Sequence, residues 1–103
     1  MSYVKLKSEY NDLDKHNIDG HIFYCKKDTY IYHNPYGVAY ICKNTYKEYW
    51  INDKRHRLDG PAKIWRNGLE EYWINNKFLT KEEFEIHPER LKFLGKEYLI
   101  CLK

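Results

Sequence analysis

His56-Arg57-Leu58-Asp59 carries the residue types that catalysis would need. A histidine with a carboxylate three residues on can act as an oriented general base, or the two can ligate a metal. The pattern is not unique in the chain. His16-Asn17-Ile18-Asp19-Gly20 and His33-Asn34-Pro35-Tyr36-Gly37 align with His56 through Gly60 and Pro61, at successive intervals of 17 and 23 residues. A catalytic pair is needed once, whereas this histidine returns three times and its aspartate becomes Tyr36 in one copy. That suits a side chain bridging backbone at each bend. Zinc needs four converging ligands, and His16, His33 and His56 are spread along the array. With no oriented nucleophile and base and no phosphate-cradling glycine loop, neither catalytic residues, nor a metal, nor a cofactor is expected.

Aromatic and basic side chains are the remaining candidates. Glu48-Tyr49-Trp50-Ile51-Asn52 returns letter for letter as Glu71-Tyr72-Trp73-Ile74-Asn75, an offset of 23 residues. On strands this places Trp50 and Trp73 on one face and Tyr49 and Tyr72 on the other. A single-layer sheet cannot bury both faces in 103 residues, so one row forms the core and the other is part-solvated or covered by a helix or another chain. That second row, with Trp65 beside it, is the candidate contact surface. Lys54-Arg55-His56-Arg57, with Lys63 and Arg66, is the one basic concentration, while Glu70, Glu71, Glu82, Glu83, Glu85 and Glu89 make the C-terminal half acidic. Lys54, Arg55 and Arg57 therefore support a second reading, phosphate contact with nucleic acid or an anionic lipid, for which Trp50 or Trp65 would be stacking platforms. A net charge of +3, from 18 basic and 15 acidic residues, does not by itself argue for it, and no amphipathic basic helix supports membrane binding.

The elements follow from the repeat. Periods of 20 to 50 residues mark arrays of one supersecondary unit that bury their apolar faces by stacking. A 17% aromatic share, with eleven Tyr, favours pleated strands. One unit reads as strand Ala62–Trp65, turn Arg66-Asn67-Gly68, strand Glu70–Ile74 and turn Asn75-Asn76. Asn67-Gly68 is the dipeptide for a turn whose two central residues take positive φ, and Asn52-Asp53 and Asn75-Asn76 are workable substitutes. Gly20, Gly37 and Gly60 are expected where strands crowd or φ is positive. The unit after Gly20 reads as a trimmed copy lacking a hairpin tip. Thr80-Lys81-Glu82-Glu83 is a capping box, so a short helix begins there and ends before His87-Pro88; a second turn of helix runs from Pro88 to Leu94 and stops at Gly95. Tyr98–Leu102 reads as a strand and Tyr3–Lys7 as a charged edge strand. The layout is one domain: an edge strand and partial unit over 1–15, repeats over 16–79, and a helical cap with a final strand over 80–103. Cys25 and Cys42 read as equivalent positions roughly 10 Å apart, beyond disulfide reach. With an odd third cysteine, no apolar leader and no long apolar run, an intracellular, cytoplasmic protein is expected.

Residues 16 to 79 resemble the MORN family, whose unit is a β-hairpin of similar length opened by a glycine and carrying a Tyr/Trp-x-x-Gly-Lys stretch. Asp59-Gly60-Pro61-Ala62-Lys63-Ile64-Trp65-Arg66-Asn67-Gly68 and Glu70-Glu71-Tyr72-Trp73-Ile74-Asn75-Asn76-Lys77 carry the likeness. Asp53 and Asn76 stand where the family prefers glycine, and Pro61-Ala62 where a second glycine is common. The His-Arg-x-Asp-Gly-Pro-Ala motif is similar to a variant in multigene families of large DNA viruses, and the Lys, Asn, Ile and Tyr richness fits an AT-rich genome. The resemblance implies a mainly β meander of antiparallel hairpins with a short C-terminal helical cap. It also implies a scaffold or interaction module, such as a viral or phage factor binding a host or self protein. A homodimer is expected too, since an apolar sheet face is buried most simply against its own copy.

Overall fold

The structure, a computed structural model, describes residues 2–96 and residue 99. Ten short strands lead into two helices: β1 (Tyr3–Leu6), β2 (Leu13–Ile18), β3 (His21–Lys26), β4 (Tyr40–Cys42), β5 (Tyr46–Glu48), β6 (Trp50–Ile51), β7 (Lys54–Arg55), β8 (Lys63–Trp65), β9 (Glu70–Ile74), β10 (Lys77–Leu79), α1 (Lys81–Glu85) and α2 (Pro88–Phe93). The sheet is an antiparallel meander in the order β1-β2-β3-β4-β5-β8-β9-β10, and β6-β7 is a separate ribbon at a hairpin tip. The fold is mainly β with a short C-terminal helical region. The described residues span 51 × 31 × 19 Å, the flat outline of a stacked array.

The 23-residue offset is a hydrogen-bond frame. The Tyr24 amide donates to the Ala39 carbonyl and the Tyr49 amide to that of Ala62, both at 2.8 Å; Ala39 and Ala62 donate to Glu48 and Glu71 at 2.9 and 2.8 Å. His33 and His56 donate to Tyr24 and Tyr49, and Asn34 and Arg57 to Trp50 and Trp73. Ala39 and Ala62 are 0% exposed where chains cross, so a larger side chain there would overpack. This frame makes Tyr24, Tyr49 and Tyr72 equivalent, as are Phe23, Glu48 and Glu71, and Cys25, Trp50 and Trp73.

Three sequence expectations change. His16 lies in β2, and Asp19-Gly20 is the β2–β3 turn, with φ of 50° and 85°. It is therefore not a copy of the bends at 33–37 and 56–60: the letters match, but an alternating strand and a bend impose different burial. Neither Gly37 nor Gly60 has positive φ; Gly60 is required because a Cβ there would lie 2.9 Å from Arg57 Cζ. Nor is the first unit trimmed. Cys25 and Tyr32 bridge across six intervening residues where Trp50 and Arg55 enclose four, so its tip is longer. Finally, the turns with two positive-φ residues are Asn52-Asp53 (50°, 63°) and Asn75-Asn76 (50°, 67°), whereas at Asn67-Gly68 only Gly68 is positive, in a three-residue loop with a bulge.

The tyrosine face is covered. Tyr10 packs on Tyr24, the Arg57 guanidinium lies over Tyr49, and Phe84 of α1 sits 4.6 Å from Tyr72, joining Ile74, Leu79 and Leu58 in a core cluster. The sequence places α1 there through its cap: the Glu83 amide donates to Thr80 Oγ1 (3.0 Å) and the Thr80 amide to Glu83 Oε1 (2.9 Å). Pro88 opens α2, Leu91 is buried, and Gly95 at φ 73° ends the turn that follows. The strand expected over 98–102 lies outside the described residues.

Cys25 and Cys42 are free thiols at different repeat positions, Cys25 standing where later units have Trp50 and Trp73, Cys42 where the next has Trp65. Burial pushes the Cys25 thiol up to about 11, so it is almost wholly protonated at neutral pH. Iodoacetamide at pH 8 should therefore label half-buried Cys42 at least about tenfold faster than Cys25 in the folded protein, read by peptide mass spectrometry. Equal rates would contradict this packing.

Candidate interaction surface

Trp50 and Trp73 enclose a cation. The Asn52-Asp53 turn folds Arg55 back opposite Trp50, and β9 presents Trp73 on the same face one unit on. The Arg55 guanidinium carbon lies 4.9 Å from the Trp50 ring centre and 4.4 Å from that of Trp73. Lys63 repeats the arrangement, its Nζ 4.1 Å from Tyr46 and 4.2 Å from Trp65. Each such contact is worth about 0.5–2 kcal/mol, more where water is excluded.

Two carboxylates tie this face together. Glu48, its side chain 5% exposed, lies 2.8 Å from Arg55 Nε and 3.5 Å from Lys63 Nζ, and accepts from Trp50 Nε1 at 3.2 Å. The Arg55 contact is close without hydrogen-bond alignment, so its strength is that of an ion pair. Glu71 accepts from Trp65 Nε1 at 2.8 Å and Trp73 Nε1 at 2.9 Å. Burial alone would raise its acidity constant, but the two indole donors, with Lys63 and Arg55 nearby, hold the Glu71 carboxyl below its ordinary range. All three indoles are thereby fixed in orientation. The array keeps its charges balanced, two cations against two carboxylates, within a half-buried aromatic row.

The candidate residues divide into two groups on opposite faces. Trp50, Trp65, Trp73 and Arg55 come together; Tyr49 and Tyr72 lie behind them. Arg57 caps Tyr49 at 4.0 Å while its Nε pairs with Asp59 at 2.9 Å and its Nη1 donates to the Pro61 carbonyl. Lys54 is exposed at the tip with no ion pair among the described residues. The three cations of the basic segment thus point to different surroundings and form no common anion cradle. Glu48, Glu71, Lys63 and Tyr46 were missed from sequence. Their signal was present: in both copies the glutamate precedes the tryptophan by two, which on a strand means one face.

The histidines do bridge backbone at two bends. His33 Nδ1 accepts from the Asn52 amide and His56 Nδ1 from that of Asn75, each at 3.0 Å. His16 differs: it is buried in β2, 5.1 Å from the Phe23 ring, with Nδ1 2.8 Å from the Tyr3 hydroxyl. Burial pushes all three below the usual histidine range. The unfolded chain therefore binds protons first, and stability that is full above about pH 6.5 declines as pH falls through the lower folded values. Melting temperature should drop from pH 7.5 to 5.5, and by less in a His33→Gln, His56→Gln variant; an equal drop in both would place the acid sensitivity elsewhere.

On the tyrosine face an open cleft of about 430 Å³ lies between the two bends, lined by Pro35, Tyr36, Tyr49, Ile51, Leu58 and Phe93 among others. Among the described residues no group of three or more His, Cys, Asp or Glu is placed to hold a metal, and no helix is long and apolar enough to cross a membrane. In comparisons with known proteins the chain matches no family profile, no curated protein and no solved structure.

Proposed function

We propose that this chain is a non-catalytic protein-interaction module whose contact surface is the tryptophan face. The observation that carries the reading is the asymmetry between faces: bends and α1 cover the tyrosine row, while Trp50, Trp65 and Trp73 stay half-exposed, held in fixed orientation by Glu48 and Glu71. Trp, Tyr and Arg are the residues that dominate protein interfaces, and pre-ordered rings lose little entropy on binding. The resemblance to hairpin arrays that present a sheet face supports the same reading.

The test compares wild type with two variants in affinity capture followed by measured binding of the captured partner. Trp50→Leu with Trp73→Leu should weaken binding by about 30-fold or more, the loss of at least one hot spot. Lys54→Glu with Arg66→Glu, both exposed, should leave it within about twofold. If the charge reversal abolishes binding, with steep salt dependence, while the folded tryptophan variant binds normally, the phosphate-contact reading replaces this one.

A further inference from the structure

The ionic triad Glu48, Arg55 and Lys63 has a counterpart one unit earlier with different chemistry. Stepping back 23 residues turns Arg55 into Tyr32 and Lys63 into Tyr40, and the strand partner of Tyr40 is Phe23 just as that of Lys63 is Glu48. The later unit fills its spaces between rings with its own cations. The earlier one has three rings and no cation. Tyr32 stands nearly perpendicular to both neighbours, 5.5 Å and 69° from Phe23 and 5.5 Å and 70° from Tyr40, while Phe23 and Tyr40 are parallel within 12° at 5.7 Å. These rings, with Ile18, Asp19 and His21, line an open pocket of about 290 Å³. Asp19 contributes a carboxylate; no Lys or Arg lines the pocket.

We propose that this aromatic corner binds a methylated ammonium cation. Ring faces attract positive charge, and perpendicular rings can present π density to one cation from two sides. The choice of a methylated cation follows from what replaces Glu48. A primary ammonium or guanidinium loses water from N–H donors on entry and needs acceptors to satisfy them, which Glu48 supplies for Arg55 and Lys63. Phe23 supplies none. A quaternary ammonium has no N–H to satisfy, spreads its charge over methyl groups, and gains apolar contact with Phe23 and Ile18 while Asp19 balances its charge from the rim. Two sources share this chemistry, a trimethyllysine side chain and a choline-type headgroup. The inference stands apart from the protein-contact reading, whose test uses other residues.

Tetramethylammonium chloride, followed by the aromatic NMR signals of the folded protein, is the direct probe. The rings of Phe23, Tyr32 and Tyr40 should shift saturably, and those of Trp50 and Trp73 should not. Choline should bind at least about tenfold more tightly than 3,3-dimethylbutan-1-ol, its uncharged isostere, the ratio that cation–π attraction of a partly desolvated group supports. Asp19→Asn keeps a residue that tolerates positive φ and should weaken binding a few-fold; Tyr32→Leu should weaken it more than about tenfold, and Trp50→Leu should leave it unchanged. A trimethyllysine peptide, beside its unmethylated form and choline, then shows which source is held more tightly. The proposal is overturned if tetramethylammonium moves no ring of the corner, if the neutral isostere binds as well as choline, or if folded Tyr32→Leu binds like wild type.

Discussion

Glu48→Ala should cost the fold about 3–5 kcal/mol, seen as a large fall in the urea midpoint at unchanged m-value. The carboxylate is nearly inaccessible and is the partner of two cations that are themselves largely buried, Arg55 at 20% and Lys63 at 14% side-chain exposure. Removing it strands both charges between aromatic rings, and the penalty is that of leaving buried charge uncompensated. A domain of this size holds only about 5–15 kcal/mol in total, so much of the stability would be lost. The array also contains its own control. Glu48→Phe, Arg55→Tyr and Lys63→Tyr together copy the Phe23, Tyr32 and Tyr40 corner into the next unit, and this triple variant should be far more stable than the single one. If the triple variant is the less stable of the two, repeat equivalence does not govern this face.

Phe84→Ala should be nearly as damaging, by about 3–5 kcal/mol in the same assay. Phe84 is 3% exposed and is the side chain by which α1 closes the tyrosine face over Tyr72, Ile74 and Leu79. Its loss leaves a cavity at the end of a stack that no further repeat covers, and terminal units of repeat arrays depend on such caps. Thr80→Ala, which removes one capping-box hydrogen bond while leaving Phe84 in place, should cost only about 1 kcal/mol. Equal losses in the two variants would mean that α1 contributes through its backbone rather than through Phe84.

Local chemistry made much of this legible in the sequence. Thr80 and Glu83 announce α1 because a capping box is satisfied within four residues, and Glu48–Asn52 with its copy announces the frame because identical hydrogen bonds need identical spacing. What misled was letter matching without pleat. His16 and Gly20 resemble the bends at His33 and His56, yet β2 pairs with both neighbours there, and strand alternation buries His16. Cys25 and Cys42 were misaligned for the same reason. The interaction face was half legible: the tryptophan row follows from period two, but the capture of Arg55 between Trp50 and Trp73 depends on how the hairpin tip folds over the sheet. No spacing rule reports that.

The central claim is that the face bearing the three indoles is the one that meets a partner. Each indole N–H donates to Glu48 or Glu71 and gives one resolved NMR signal, so titrating labelled protein with the captured partner reads the face directly. The account predicts that the signals of Trp50, Trp65 and Trp73 shift or broaden together while the amides lining the cleft near Leu58 and Tyr36 stay in place. Unmoved indoles with shifts confined to that cleft, or to Lys54 and Arg66, would contradict it.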